Sequence, residues 1–262
     1  MKIFIDSADI NEIKQFYSFG LADGITTNPS LVKKAMTKHK IKDMKQYINQ
    51  ILKVAKYTPV SLEVTERSKE KMISQGIALY KLFNPIAKNV VIKIPVSSAF
   101  SNKEPQFEGI EAIRTLSKQK IPVNCTLIFT PEQSLLAAKA GATYVSPFAG
   151  RIDDLLRKGK KFNKEDYFPA QGLQNKDDLG ISSGIDLISQ TVQLFKNYNI
   201  KTKVLAASLR NPRQVREAGL AGADIATLPF PVIQKMLVHE KTFEGMKNFT
   251  KDIVPEYAKL TN

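Results

Sequence analysis

Cysteine is nearly absent from this sequence: Cys125 is the only one among 262 residues. A single thiol excludes an intramolecular disulfide and any zinc site built on paired cysteines. Histidine is almost as scarce, with His39 and His239 far apart in the chain, and tryptophan is missing. No uninterrupted apolar run approaches the ~18 residues of a membrane span. The opening Met1-Lys2-Ile3-Phe4-Ile5-Asp6 places an acid where a secretory leader carries its apolar stretch. A cytoplasmic protein with no membrane partner is expected. Acidic residues are also in deficit, 25 against 39 lysines and arginines, giving a formal net charge of +14. Such a charge attracts polyanions or small phosphorylated molecules. The lysines are spread along the chain, however, and the densest group, Arg157 to Lys164, holds one aromatic and no nucleic-acid-binding module. A basic surface is the simpler reading, and no nucleic-acid partner is expected.

What is present is alternation. Short runs rich in Val and Ile, at 2–5, 24–27, 60–64, 90–94, 123–129, 144–147, 204–208 and 225–228, read as strands. Amphipathic stretches at 11–16, 42–57, 66–82, 107–117, 131–140, 184–198, 211–221 and 231–238 read as helices. Repeated βα units of this number in about 250 residues predict a (β/α)8 TIM barrel, one domain over 1–262. Two segments fall outside the repeat. A charged, glycine-containing stretch at 154–182 reads as a long loop after the sixth strand, and loops of that length are uncommon unless functional or mobile. A last helix at about 242–260 must pack over the barrel or on a neighbour.

In a parallel barrel the active site lies at the C-terminal strand ends. Nearly every run carries polar residues there: Asp6; Thr26, Thr27 and Asn28; Glu63; Lys93; Asn124 and Thr126; Ser146; Ser208. Alternation puts Asn124 and Thr126 on one face with Cys125 and Leu127 on the other, and Lys93 with Val91. Each residue alone has a structural explanation. Ser146 or Thr126 suits a hydrogen-bonded core position, Asn28 before Pro29 suits a turn and helix start, and Asp6 suits a cap for a helix beginning near Asp9. Their concentration at one end weakens those separate explanations. Lys93 is the hardest to dismiss. Burying an ammonium within Val90-Val91-Ile92-Lys93-Ile94-Pro95 is costly unless it is paired, with Asp6 or Glu63, or has a lowered pKa. A buried amine of that kind is a nucleophile for carbonyls. With carboxylates on other strands, it points to aldol chemistry through an iminium, which requires no metal and no cofactor.

These residues carry a family resemblance. Phe4-Ile5-Asp6-Ser7-Ala8-Asp9, Gly24-Ile25-Thr26-Thr27-Asn28-Pro29-Ser30, Val91-Ile92-Lys93-Ile94-Pro95 and Asn124-Cys125-Thr126-Leu127-Ile128-Phe129 open the match. Val145-Ser146-Pro147-Phe148-Ala149-Gly150-Arg151-Ile152-Asp153, Leu205-Ala206-Ala207-Ser208-Leu209-Arg210-Asn211 and Ala223-Asp224-Ile225-Ala226-Thr227-Leu228-Pro229 complete it. In this order they resemble the transaldolase family, in its small-subunit branch that also holds fructose-6-phosphate aldolases. The resemblance implies Lys93 as Schiff-base lysine and Asp6 as acid/base for the sugar hydroxyl. It implies Glu63 and Thr126 as a pair relaying protons through a bound water. Asn28, Asn124 and Ser146 would hold the dihydroxyacetone fragment, with Thr27 and Phe148 beside them. Arg151, Ser208 and Arg210 would clamp phosphate; strand alternation puts the last two on one face, and arginine meets phosphate with two prongs.

Glu63 and Phe148 stand where the aldolases typically carry glutamine and tyrosine. Both favour transaldolase, a transferase moving a three-carbon ketol unit between sugar phosphates in the pentose phosphate pathway. A phenol at 148 would help protonate the enamine and release free dihydroxyacetone, the aldolase alternative. Two insertions, around 98–105 and 155–182, depart from close relatives at the catalytic mouth. The branch assembles as rings through its C-terminal helix, so a homo-oligomer is expected, with a pentamer or decamer in view. Two rivals come from other classes: a basic nucleic-acid-binding protein, and a barrel that binds sugar phosphates without catalysis.

Overall fold

Eight parallel strands close into a barrel in chain order. A computed structural model of the protein describes residues 1–158 and 180–261. The strands are β1 (Lys2–Asp6), β2 (Gly24–Thr26), β3 (Val60–Glu63), β4 (Val90–Pro95), β5 (Val123–Ile128), β6 (Tyr144–Pro147), β7 (Lys203–Ala206) and β8 (Ile225–Leu228), and β8 pairs back onto β1. The helices are α1 (Ile10–Ser18), α2 (Pro29–His39), α3 (Met44–Val54), α4 (Lys69–Ala87), α5 (Glu108–Lys118), α6 (Pro131–Ala140), α7 (Ala149–Leu156), α8 (Gly184–Asn197), α9 (Pro212–Leu220), α10 (Phe230–Lys235), α11 (Glu240–Lys251) and α12 (Pro255–Ala258). The expected (β/α)8 barrel is the fold. None of the described helices is long and apolar enough to cross a membrane.

Alternation along each strand sorts the barrel into two faces. Ile5, Ile25, Val60, Leu62, Ile92, Ile94, Val123, Cys125, Val145 and Ala226 join one large core with the helices. The opposite set points inward, where Phe4, Leu205, Ala207 and Ile225 form a small separate apolar cluster. Phe4 and Ile225 come two residues before Asp6 and Thr227, so this plug is the floor on which the polar residues rest. Gly24 makes room for it: a Cβ there would lie 2.6–2.8 Å from three atoms of the Phe4 ring. Gly24→Ala should therefore destabilise the barrel by about 1–3 kcal/mol through overpacking, read as a lower urea midpoint at unchanged m-value.

Helix starts follow local chemistry. Asn28, Thr130 and Asn211 each accept the backbone N–H three residues on, from Leu31, Gln133 and Gln214, with proline in the first helical turn. Asp9, not Asp6, caps α1 by accepting from the Asn11 N–H, which leaves the Asp6 carboxyl to the barrel.

Several expectations are corrected. The sequence pattern omits α2, whose only buried residue is Ala35, so the helix has almost no apolar stripe to read. The loop expected from residue 154 begins later, because α7 continues to Leu156, and Ser183 caps α8; most of that predicted loop lies outside the described residues. The helix expected over 242–260 is two. The chain breaks after Lys251, and Pro255 starts α12, because the residues before a proline disfavour helix. Nor does it cover the barrel: α11 has no buried residue. Within β5, Leu127 takes φ 57, and the pairing with β6 shifts register between Cys125 and Ile128. This bulge breaks the alternation, so Ile128 rather than Leu127 rejoins the outer core.

Candidate active site

The polar residues converge at the C-terminal strand ends. A cavity of about 140 Å³ opens there, with Lys93, Asp6, Asn28, Ser146, Phe148, Arg151 and Ser208 in its wall, joined by Thr26, Ala207 and Thr227. Lys93 is 4% exposed. Its Nζ lies 3.0 Å from Glu63 Oε2 and donates to the Thr27 carbonyl at 3.0 Å. Sheet register explains the partner: Glu63 and Lys93 are opposite one another on β3 and β4. The ion pair considered from sequence is thus present, with Glu63 and not Asp6. Pairing and a backbone acceptor offset the cost of burying the ammonium.

Asp6 occupies the other side. Thr26 donates its hydroxyl to Asp6 Oδ1 at 2.7 Å. Burial pushes the Asp6 carboxyl above the usual carboxylate range, against the opposing pull of the Lys93 charge and the Thr26 hydroxyl. A carboxyl moved in that direction is better suited to both taking and returning a proton near neutral pH.

Beneath the lysine runs a buried polar chain. Ser146 donates to Asn124 Oδ1 at 2.7 Å, and Asn124 Nδ2 donates to Ser61 Oγ at 3.2 Å. Asn124 is fully buried and is the register partner of Lys93, so it props the floor while Ser146 reaches the cavity. Thr27 is placed through its carbonyl, since its hydroxyl donates to the Ser61 carbonyl at 2.7 Å. Thr126 Oγ1 is buried without a hydrogen-bond partner, an orphan that a water or a reacting oxygen would satisfy.

The rim carries the cations. Arg151 lies in the first turn of α7, its guanidinium 5.4 Å from the Phe148 ring centroid, and Phe148 meets Phe129 edge-to-face at 5.9 Å. Gly150 lets that turn approach Ser208: a Cβ at 150 would sit 2.3 Å from the Ser208 carbonyl oxygen. Arg210 does not join this wall. Its two terminal nitrogens donate to the Asp154 carboxylate at 2.6 and 2.5 Å. Ser208 and Arg210 nonetheless come together, since the same Cβ at 150 would lie 3.0 Å from both Ser208 Oγ and Arg210 Nε. Strand alternation is not the cause, because β7 ends at Ala206 and Ser208 takes a left-handed φ of 62. The loop after β4 is tied down from outside the cavity. Arg67 lies over the Phe100 ring at 3.3 Å, donates to the Ser98 carbonyl and pairs with Glu104.

Sequence reasoning assigned no role to Thr26, Ser61 or Thr227. A signal for the last was present: Thr227 is the one polar residue in the run 225–228, two positions from Ile225 on the inward face. Among the described residues, no three His, Cys, Asp or Glu side chains gather to hold a metal ion.

A closed (β/α)8 barrel with an amine and two carboxyls at its C-terminal mouth has the architecture of a TIM-barrel enzyme. Known proteins narrow that class. Residues 3–261 match the family described as Transaldolase/Fructose-6-phosphate aldolase. A protein of Caldicellulosiruptor saccharolyticus named "Probable transaldolase" is 44% identical over 253 residues, covering 96% of each chain. A Methanococcus vannielii protein of the same name is 41% identical over 252 residues, covering 96% of this chain and 97% of its own. The chain therefore belongs to the transaldolase/fructose-6-phosphate aldolase family and is a transaldolase-type enzyme. A mandelate oxidase structure shares the fold, with a TM-score of 0.50 at 11% identity over 87% of this chain and 64% of that one.

Proposed function

We propose that this enzyme is a transaldolase that transfers a dihydroxyacetone unit through a Schiff base on Lys93. The substrates are sedoheptulose 7-phosphate and glyceraldehyde 3-phosphate, the products erythrose 4-phosphate and fructose 6-phosphate. The observation that carries this reading is a buried lysine, 3.0 Å from a carboxylate, in the wall of a cavity that a second carboxyl also lines.

In this mechanism Glu63 takes a proton from the Lys93 ammonium. The free amine adds to the C2 ketone, and loss of water from the carbinolamine gives the iminium. Thr126, with its unpartnered hydroxyl, and Glu63 shuttle the protons of that dehydration. Asp6 then removes the proton of the C4 hydroxyl; the C3–C4 bond breaks, its electrons flow into the iminium, and an aldehyde departs. The enamine left on Lys93 attacks the acceptor aldehyde, Asp6 returns its proton to the new hydroxyl, and water releases the ketose. Asn28 and Ser146 hold the three-carbon fragment, with Asn124 behind Ser146. Arg151 and Ser208 bind the phosphate. Arg210 reaches it by exchanging the Asp154 carboxylate for phosphate oxygens, a trade between like geometries.

Two features favour transfer over aldolase-type cleavage. The Phe148 ring offers the enamine no acidic hydrogen, and the second carboxyl near Lys93 is a glutamate. Such an enzyme would work in the cytoplasm on sugar phosphates of the pentose phosphate pathway. Phe243, Met246 and Phe249 of α11 are exposed, which supports a contact with a second copy of the chain and hence a homo-oligomer. The +14 charge is read as a basic surface; a nucleic-acid shift at low salt would argue otherwise.

The test is borohydride reduction in the presence of fructose 6-phosphate, followed by peptide mass mapping. A three-carbon adduct on the peptide carrying Lys93 is expected. No trapped adduct, with ligand still bound, would identify a non-catalytic barrel. Glyceraldehyde 3-phosphate release that depends on added erythrose 4-phosphate separates transfer from cleavage, since an aldolase needs no acceptor.

A further inference from the structure

We propose that Thr227 is a positioning residue for Asp6, acting through Thr26. The inference rests on the reading of Asp6 as the acid/base group and extends it to β8. Thr227 is 3% exposed, reaches the cavity wall, and its Oγ1 lies 2.5 Å from Thr26 Oγ1. A hydroxyl has one hydrogen to give. Thr26 gives its hydrogen to Asp6 Oδ1, so the hydrogen between the two threonines belongs to Thr227. The chain therefore has one direction: Thr227 donates to Thr26, which donates to Asp6.

This order does two things. It occupies Oδ1 and leaves Oδ2 as the oxygen that exchanges a proton with substrate. It also polarises the Thr26 hydroxyl, because a hydroxyl that accepts a hydrogen bond becomes a better donor. The Asp6 carboxylate is held more firmly than one threonine alone would hold it.

The surroundings limit what else acts on Asp6. The strands flanking β1 bring Thr26 and Thr227 to its inner face, neither ionisable. The charged groups facing it are Lys93 on β4, with Glu63 on β3 behind, and Arg151 at the rim. Asp9, on the loop after β1, is committed to Lys38 and His39, and neighbouring Glu12 accepts from Ser7.

The test compares Thr227→Val, which keeps the shape and removes the donor, with Thr227→Ser, which keeps the donor. In Thr227→Val the acid limb of the kcat–pH profile should rise by roughly half to one pH unit, because a less stabilised carboxylate holds its proton to higher pH. Trapping of the Lys93 adduct should proceed as in wild type, and KM should change little. Thr227→Ser should restore the wild-type limb. In a Thr26→Val background, Thr227→Val should add no further shift, the non-additivity of one chain. A Thr227→Val enzyme with an unmoved limb, altered only in thermal stability, overturns the proposal. Thr227→Ala serves the same comparison if the valine variant does not fold. Asp6→Asn separates the two ideas: if it cleaves fructose 6-phosphate at the wild-type rate, the acid/base reading itself fails, whatever Thr227 does.

Discussion

Lys93→Met should end covalent trapping by borohydride and lower kcat on the order of 10⁴-fold or more, the scale of losing a nucleophile that acts as a unit with its neighbours. Methionine fills much of the space of the lysine stem without an amine. The variant leaves Glu63 without its 3.0 Å partner. A partly buried carboxylate without a partner costs stability unless it takes up a proton. Thermal unfolding must therefore accompany the kinetics, so that loss of chemistry is separated from loss of fold. Added primary amines offer a further check, since an amine entering the vacated space can restore some turnover. A folded Lys93→Met enzyme that still releases glyceraldehyde 3-phosphate at more than a trace rate would rule out the Schiff base.

Asp6→Asn should stop the reaction one stage later. In the proposed mechanism iminium formation on Lys93 uses Glu63 and Thr126 but not Asp6, so reduction should trap an intact six-carbon adduct. The three-carbon adduct of wild type should disappear. Turnover should fall by about 10²–10⁴-fold, the usual contribution of a positioned acid/base group. The same change has a stability signature of known sign. Burial raises the folded-state pKa of Asp6, so its contribution to stability is full below the unfolded value and is lost as pH rises through the raised one. Asp6→Asn, with no proton to lose, should gain stability relative to wild type on going from acid to neutral pH. Parallel melting curves at both pH values would contradict the assignment of a raised pKa. The expected trade of stability for activity is common where a site holds a charge in an unfavourable place.

The inferences that succeeded from sequence were local. Strand positions were legible because each run of Val and Ile is short and bounded by helix-forming sequence. The inward face of β4 and β5 was legible because it needs only a period of two. Asn28 was legible as a helix start because cap and proline adjoin. The failures came where periodicity is interrupted. The bulge at Leu127 changes a side chain's direction by one backbone angle, which composition does not announce. The body of α2 beyond its Asn28 start was not legible, because one buried alanine makes no stripe.

The sequence by itself determined the repeat, the outer apolar faces and the ring of polar strand ends, because each depends on neighbours in the chain. It also put an amine and two carboxyls at those ends. Which carboxyl pairs with the amine was decided only by the closed barrel: register sets Glu63 opposite Lys93 and leaves Asp6 to Thr26. Closure also joins β8 to β1 across the whole length of the chain, and so brings Thr227 to Thr26, 201 positions away, and through it to Asp6. No local rule reaches that distance. The pairing geometry of a closed sheet does, because a strand at each end of the sequence must become the other's neighbour.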